Sequence, residues 1–108
     1  MPIDGRENHR IPLEAARRMT KRFRDEHGGG PRRVRGHGVS RGIIEEILAQ
    51  PGCMGLRIYH AMDDRGAETL VIVGTTAEEV DMADGTIAEQ TRPCPPFCGD
   101  SALSSDAP

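Results

Sequence analysis

Ile11, Ala15, Met19 and Phe23 recur every four residues through "IPLEAARRMTKRFRDEH", a narrow apolar stripe that predicts a helix over 11–27. Pro12 suits its first turn, Glu14 complements the dipole there, and Gly28 begins a hard stop. Arg10, Arg17, Lys21 and Arg24 occupy the opposite surface, so this helix is expected to dock weakly or on a partner. "GGGPRRVRGHG" (28–38) has the Gly, Pro and Arg content of a flexible linker, with no regular structure. Ser40 stands where it can cap a second helix, "RGIIEEILAQ" (41–50), whose Ile43, Ile44, Ile47 and Leu48 make a one-sided apolar face.

The period then changes from helical to alternating. In "MGLRIYHAM" (54–62), Met54, Leu56, Ile58, His60 and Met62 point one way, while Gly55, Arg57, Tyr59 and Ala61 point the other. "DDRG" (63–66) is a turn signal and "ETLVIVG" (68–74) a more apolar strand, which together predict a β-hairpin lidded by helix 41–50. "TIAEQ" (86–90) is a candidate third strand. The expected fold class is therefore α+β: a small antiparallel hairpin or three-stranded sheet packed on one helix, with an N-terminal basic amphipathic helix on a flexible linker. Its expected divisions are a basic arm and linker (1–38), a compact domain (39–99) and a disordered tail (100–108).

Composition sharpens this in two ways. With 108 residues, 36 % hydrophobic residues, one Tyr, two Phe and no Trp, the core is small and would gain from a staple or a partner. The net charge of −3 conceals polarity: residues 1–41 hold eleven Arg/Lys against five Asp/Glu, and residues 42–108 hold three against twelve. A basic arm beside an acidic body points to protein contact, in a homo-oligomer or with another protein. Nucleic acid is the weaker expectation, because no stacking aromatics interleave with the charges. No stretch approaches the ~20 apolar residues of a membrane span. "MPIDGRENHR" lacks an apolar signal region, so the expected compartment is the cytoplasm, with reduced thiols.

Candidate chemistry centres on three cysteines. Cys94 and Cys98 lie four apart in "PCPPFCG", a spacing compatible with paired thiolate ligands, and Cys53 starts the first predicted strand. Three readings stay open: a zinc-like site of Cys53, Cys94 and Cys98, a thiol-redox pair, or free cysteines packed as small hydrophobes. His60 does not complete a metal set. It lies seven residues along the strand from Cys53, ~23 Å at about 3.3 Å per residue, and on the opposite face. His27, His37, Asp100 or water are the remaining fourth ligands. Arg32, Arg33 and Arg35 precede a helix start, where an anion is welcome, though a solvated linker explains them as well. "GVSRG" (38–42) matches a nucleophile elbow in pattern only, because the chain is too short for the parallel sheet that motif needs. The carboxylate pairs Asp63/Asp64 and Glu78/Glu79 read as solvated turns.

The run "QPGCMGLRIYH", a following D-x-x-D-G and the late "PCPPFCG" resemble a group of short bacterial proteins known mainly as uncharacterised open reading frames. These share a Gln-x-Gly-Cys-x-Gly-x-Arg-Ile-Tyr stretch and a Cys-Pro-Pro-x-Cys motif. The resemblance covers about residues 43–99 and implies that Cys53, Arg57, Tyr59, Cys94 and Cys98 occupy the group's motif positions. It implies no activity. The functional expectation is thus a small non-catalytic interaction or assembly module, with a metal-binding or thiol-redox protein as its rival.

Overall fold

The computed structural model describes residues 2–27, 34–99 and 101–104. Helices and antiparallel sheets occur together, and the fold is α+β. The elements are α1 (Leu13–His27), β1 (Gly36–Gly38), α2 (Arg41–Leu48), β2 (Gly55–Met62), β3 (Glu68–Thr75), β4 (Ile87–Ala88) and β5 (Arg92–Cys94). They form two compact units, one of Met1–Asn8 with Val39–Thr91, the other of His9–Gly38 with Arg92–Pro108. The chain passes from one unit to the other at Gly38–Val39, where the arm was expected to end. Residues 1–8 and 92–104 nevertheless group differently from the divisions read in the sequence, because each has partners distant in the chain.

The first unit is the expected hairpin with its lid. β2 and β3 pair in unbroken register from Gly55↔Thr75 to Met62↔Glu68, and β4 adds Ile72↔Ala88 and Val73↔Ile87. The turn closes with Gly66 at φ +81 and with both Arg65 and Ala67 N–H groups donating to Asp63 Oδ1 at 2.9 Å. Side-chain alternation puts Leu56, Ile72 and Ala88 on one face, where they meet Ile47 of α2, with Ile43, Ile44 and Cys53 packed around them. Leu48 departs from its expected place in the apolar face and is 46 % exposed, while Ile47 is fully buried. Ser40 occupies the N-cap position in extended backbone, yet its side chain makes no cap hydrogen bond. Ahead of these elements, Ile3 N–H donates to Ala77 O at 2.8 Å, which ties the N-terminal residues to this unit rather than to the basic arm.

In the second unit β1 pairs with β5 through Gly36↔Cys94, His37↔Pro93 and Gly38↔Arg92. This corrects the expectation that 28–38 lacks regular structure: two glycines offer no side chain to obstruct pairing, and residues 92–94 supply the partner strand. The remainder of that segment, 28–33 with Arg32 and Arg33, lies outside the described residues. α1 starts two residues later than its apolar pattern, with Ala16 N–H donating to Pro12 O at 3.1 Å. Its charges pair locally, Lys21 with Asp25 at 2.7 Å and Arg22 with Glu26 at 3.3 Å. Residues 101–104 form a turn held by Arg24 Nη1 donating to Leu103 O at 3.0 Å and Arg35 Nη1 to Ser104 O at 2.8 Å. Part of the expected disordered tail is thus ordered by arginine–carbonyl contacts, while Asp100 and 105–108 lie outside the described residues.

Candidate functional site

The Cys-Pro-Pro-Phe-Cys segment is a closed loop. Phe97 N–H donates to Pro93 O at 2.9 Å, a turn that brings Cys94 and Cys98 to a Cα separation of 4.6 Å, and the two sulfurs are bonded. The loop is anchored just ahead of β1 by Arg35 N–H donating to Cys94 O at 2.6 Å. The Arg92 guanidinium lies over the Phe97 ring, 4.0 Å from its centroid, a cation–π contact on the loop's flank. Closing a loop this short stabilises by about 2 kcal/mol on a chain-entropy estimate.

This pairing engages two of the three cysteines expected to form a zinc-like set, Cys53, Cys94 and Cys98. A bonded sulfur carries no thiolate charge, so Cys94 and Cys98 are withdrawn as ligands in this state. Cys53 belongs to the other unit, where its free Sγ donates to Gly55 O at 3.3 Å and packs beside the Ile47–Ile72 core. No group of three His, Cys, Asp or Glu residues able to hold a metal occurs among the described residues. His60 is exposed on β2 opposite Leu70, and His37 sits in β1 opposite Pro93.

Most of the motif around Cys53 builds structure. Gln50 follows the end of α2 and acts as a bracket: its Nε2 donates to Ile47 O at 2.8 Å, and its Oε1 accepts from Thr86 N–H at 2.8 Å. Cys53 N–H donates back to Gln50 O at 3.0 Å. Gly52 turns the chain at φ +83, a conformation that glycine adopts without strain. Gly55 lies under Ile3, whose Cδ1 is 3.5 Å from the position a Cβ would take there.

Arg57 and Tyr59 remain, and they converge on Asp81. Two apart on β2, they share the face opposite α2, and a backbone bridge between Thr75 and Asp81 folds the acid back over that face. The intervening loop is fixed by Thr76 N–H donating to Val80 O at 3.0 Å, with Glu79 in the left-handed region at φ 62. Arg57 Nη1 donates to Asp81 Oδ1 at 2.6 Å, and the Tyr59 hydroxyl donates to Asp81 Oδ2. The neighbouring Tyr59 and then Asp81 raise the Arg57 pKa further, so the guanidinium stays cationic at every accessible pH. Both carboxylate oxygens are engaged, and the cluster is a clasp between β2 and the 76–85 loop rather than an acid–base pair awaiting substrate. Sequence reading placed Arg57 and Tyr59 on one face but missed Asp81. The available signal was the D-x-x-D-G run (81–85), a short loop beyond the end of β3, which a turn at 76–80 returns to the same sheet end.

The described helices include none long and apolar enough to cross a membrane. Comparison of the chain with protein-family models, curated proteins and solved structures finds no match.

Proposed function

We propose that this chain is a small non-catalytic assembly module that joins an acidic protein surface, the body of a second copy, through its basic helical arm. The observation that supports this reading is the orientation of α1. None of its residues is buried, and its apolar stripe faces outward, with Met19 64 % and Phe23 44 % exposed beside Ile11 and Leu13. A helix that presents its apolar side to water is stabilised by covering it. The charge division along the chain gives that cover a sign, since residues 42–108 carry a net −9 against +6 for residues 1–41.

Sedimentation velocity tests the reading. The wild-type chain is expected to sediment above its monomer mass at low salt and to shift toward monomer as salt screens the charges. Met19→Asp combined with Phe23→Asp should remove the salt-dependent part of that assembly, with the thermal melt of the first unit retained. Wild-type protein whose sedimenting mass does not depend on salt, or a double variant that keeps the salt-dependent assembly, overturns it. Point substitutions are cleaner than removing 1–38, which also takes away β1 and the Ile3–Ala77 tie.

The Cys94–Cys98 bond favours a second reading, in which the loop exchanges electrons with dithiols. Equilibration in glutathione buffers of graded potential, followed by alkylation and mass measurement, separates the two roles. Oxidised protein should label at Cys53 alone and reduced protein at all three cysteines. An exchanging loop switches between about −120 and −270 mV, whereas a midpoint below about −300 mV assigns the bond to structure.

A further inference from the structure

The three-stranded sheet has two unlike edges. β4 is two residues long and is followed by Gln90 in the left-handed region at φ 60, a short edge that offers little for pairing. β2 runs for eight residues, pairs with β3 in regular register throughout, and has no partner on its outer side among the described residues. The devices that normally protect an edge are missing from it: Gly55–Met62 contains no proline, no lysine and no bulge. Its one arginine, Arg57, is already paired with Asp81. Ile58 and Met62, on the face that α2 only partly covers, are 54 % and 71 % exposed.

We infer that β2 pairs antiparallel with β2 of a second copy about a two-fold axis centred on His60. Directly opposed residues in an antiparallel pair lie on the same face, so the axis must pass through a residue and not between two. Only three centres keep the middle of β2 in register with itself: Ile58, Tyr59 and His60. Centring on Ile58 sets Arg57 against Tyr59, and centring on Tyr59 sets Ile58 against His60. Centring on His60 sets Ile58 against Met62 of the second copy, a contact occurring twice by symmetry. The two most exposed apolar side chains of the edge thus meet, a cross-strand pair of the kind that stabilises a sheet. Two three-stranded sheets become one continuous sheet, and the unprotected edges disappear.

This surface lies in the unit that does not contain α1, and its test is separate from that of the helical arm. Full-length chain carrying His60→Cys, mildly oxidised at micromolar concentration, is expected to form a dimer linked through the two introduced thiols. Formation should be at least about tenfold faster than for Ala83→Cys, because pairing raises the local thiol concentration. Mass mapping of the linked peptide excludes products through Cys53. Met62→Lys is expected to shift the sedimenting mass toward monomer while leaving the melt of dilute protein unchanged. The α1 double aspartate, placed in the His60→Cys background, should leave this crosslinking intact. His60→Cys no faster than Ala83→Cys, Tyr59→Cys faster than His60→Cys, or Met62→Lys without effect on mass would each overturn the inference.

Discussion

Ile47→Ala is expected to lower the stability of the first unit by about 3 kcal/mol, the usual loss for removing a large buried aliphatic side chain. Ile47 and Ile72 are the largest fully buried side chains among the described residues, and both belong to the cluster that joins α2 to β3. A domain of this size has about 5–15 kcal/mol in total, and so small a core places this one toward the lower end. The corresponding fall in Tm is roughly 12 °C or more, readable by calorimetry or by circular dichroism. Leu48→Ala, one position along and 46 % exposed, should move the Tm little. Equal effects at the two positions would mean that α2 presents a different face to the sheet.

Gly74→Ala is expected to be comparably damaging by overpacking rather than by a cavity. A Cβ at Gly74 would stand 2.9 Å from Cys53 Sγ, 3.1 Å from Gln50 Nε2 and 3.2 Å from Ile47 Cγ2, so three neighbours would have to yield together. Forcing atoms into such a contact costs about 1–3 kcal/mol, and here it also strains the Gln50 bracket. Removing the nearest obstacle should restore part of the loss: the Cys53→Ala, Gly74→Ala double variant is expected to be more stable than the sum of the single changes. Gly42→Ala provides the contrast, since nothing lies within 4 Å of that Cβ and the position is helical. It should stabilise by up to about 1 kcal/mol. Strict additivity in the double variant would show that Cys53 is not what makes Gly74 necessary.

These contacts give the cysteine motif a physical meaning separate from any reaction. Cys53 fills the space beside Gly74, Gln50 ties the end of α2 to β4's approach, and Arg57 with Tyr59 holds the 76–85 loop through Asp81. The segment from Gln50 to Tyr59 is therefore accounted for largely by the building of one small sheet and its lid.

How much of this could be read from the chain depended on the distance over which each interaction acts. The helix at 41–48, the hairpin with its 63–66 turn, and the two faces of β2 follow from local periodicity and turn chemistry, which neighbouring residues settle among themselves. The apolar stripe of α1 was equally visible, but not its outward orientation, because which side of a helix is covered depends on the rest of the fold. β1 was missed because "GHG" has no strand signal of its own, and only residues 92–94, more than fifty positions later, give it a partner. The third candidate strand was legible as a segment and is reduced in the structure to Ile87–Ala88.

The cysteines show the same division. The sequence by itself determined that a proline-braced Cys-x-x-x-Cys loop and a strand-entry cysteine exist, and that His60 lies far along the strand from Cys53; the expected opposite faces do not hold, because Cys53 precedes β2 and packs on the α2 face that His60 shares. Only the tertiary structure decided that Cys94 and Cys98 bond to each other while Cys53 joins a different compact unit. Spacing limits which sulfurs can meet. The backbone turn from Phe97 to Pro93 and the pairing of β5 with β1 select which do, because a disulfide needs its Cα atoms brought within a narrow range that composition cannot specify.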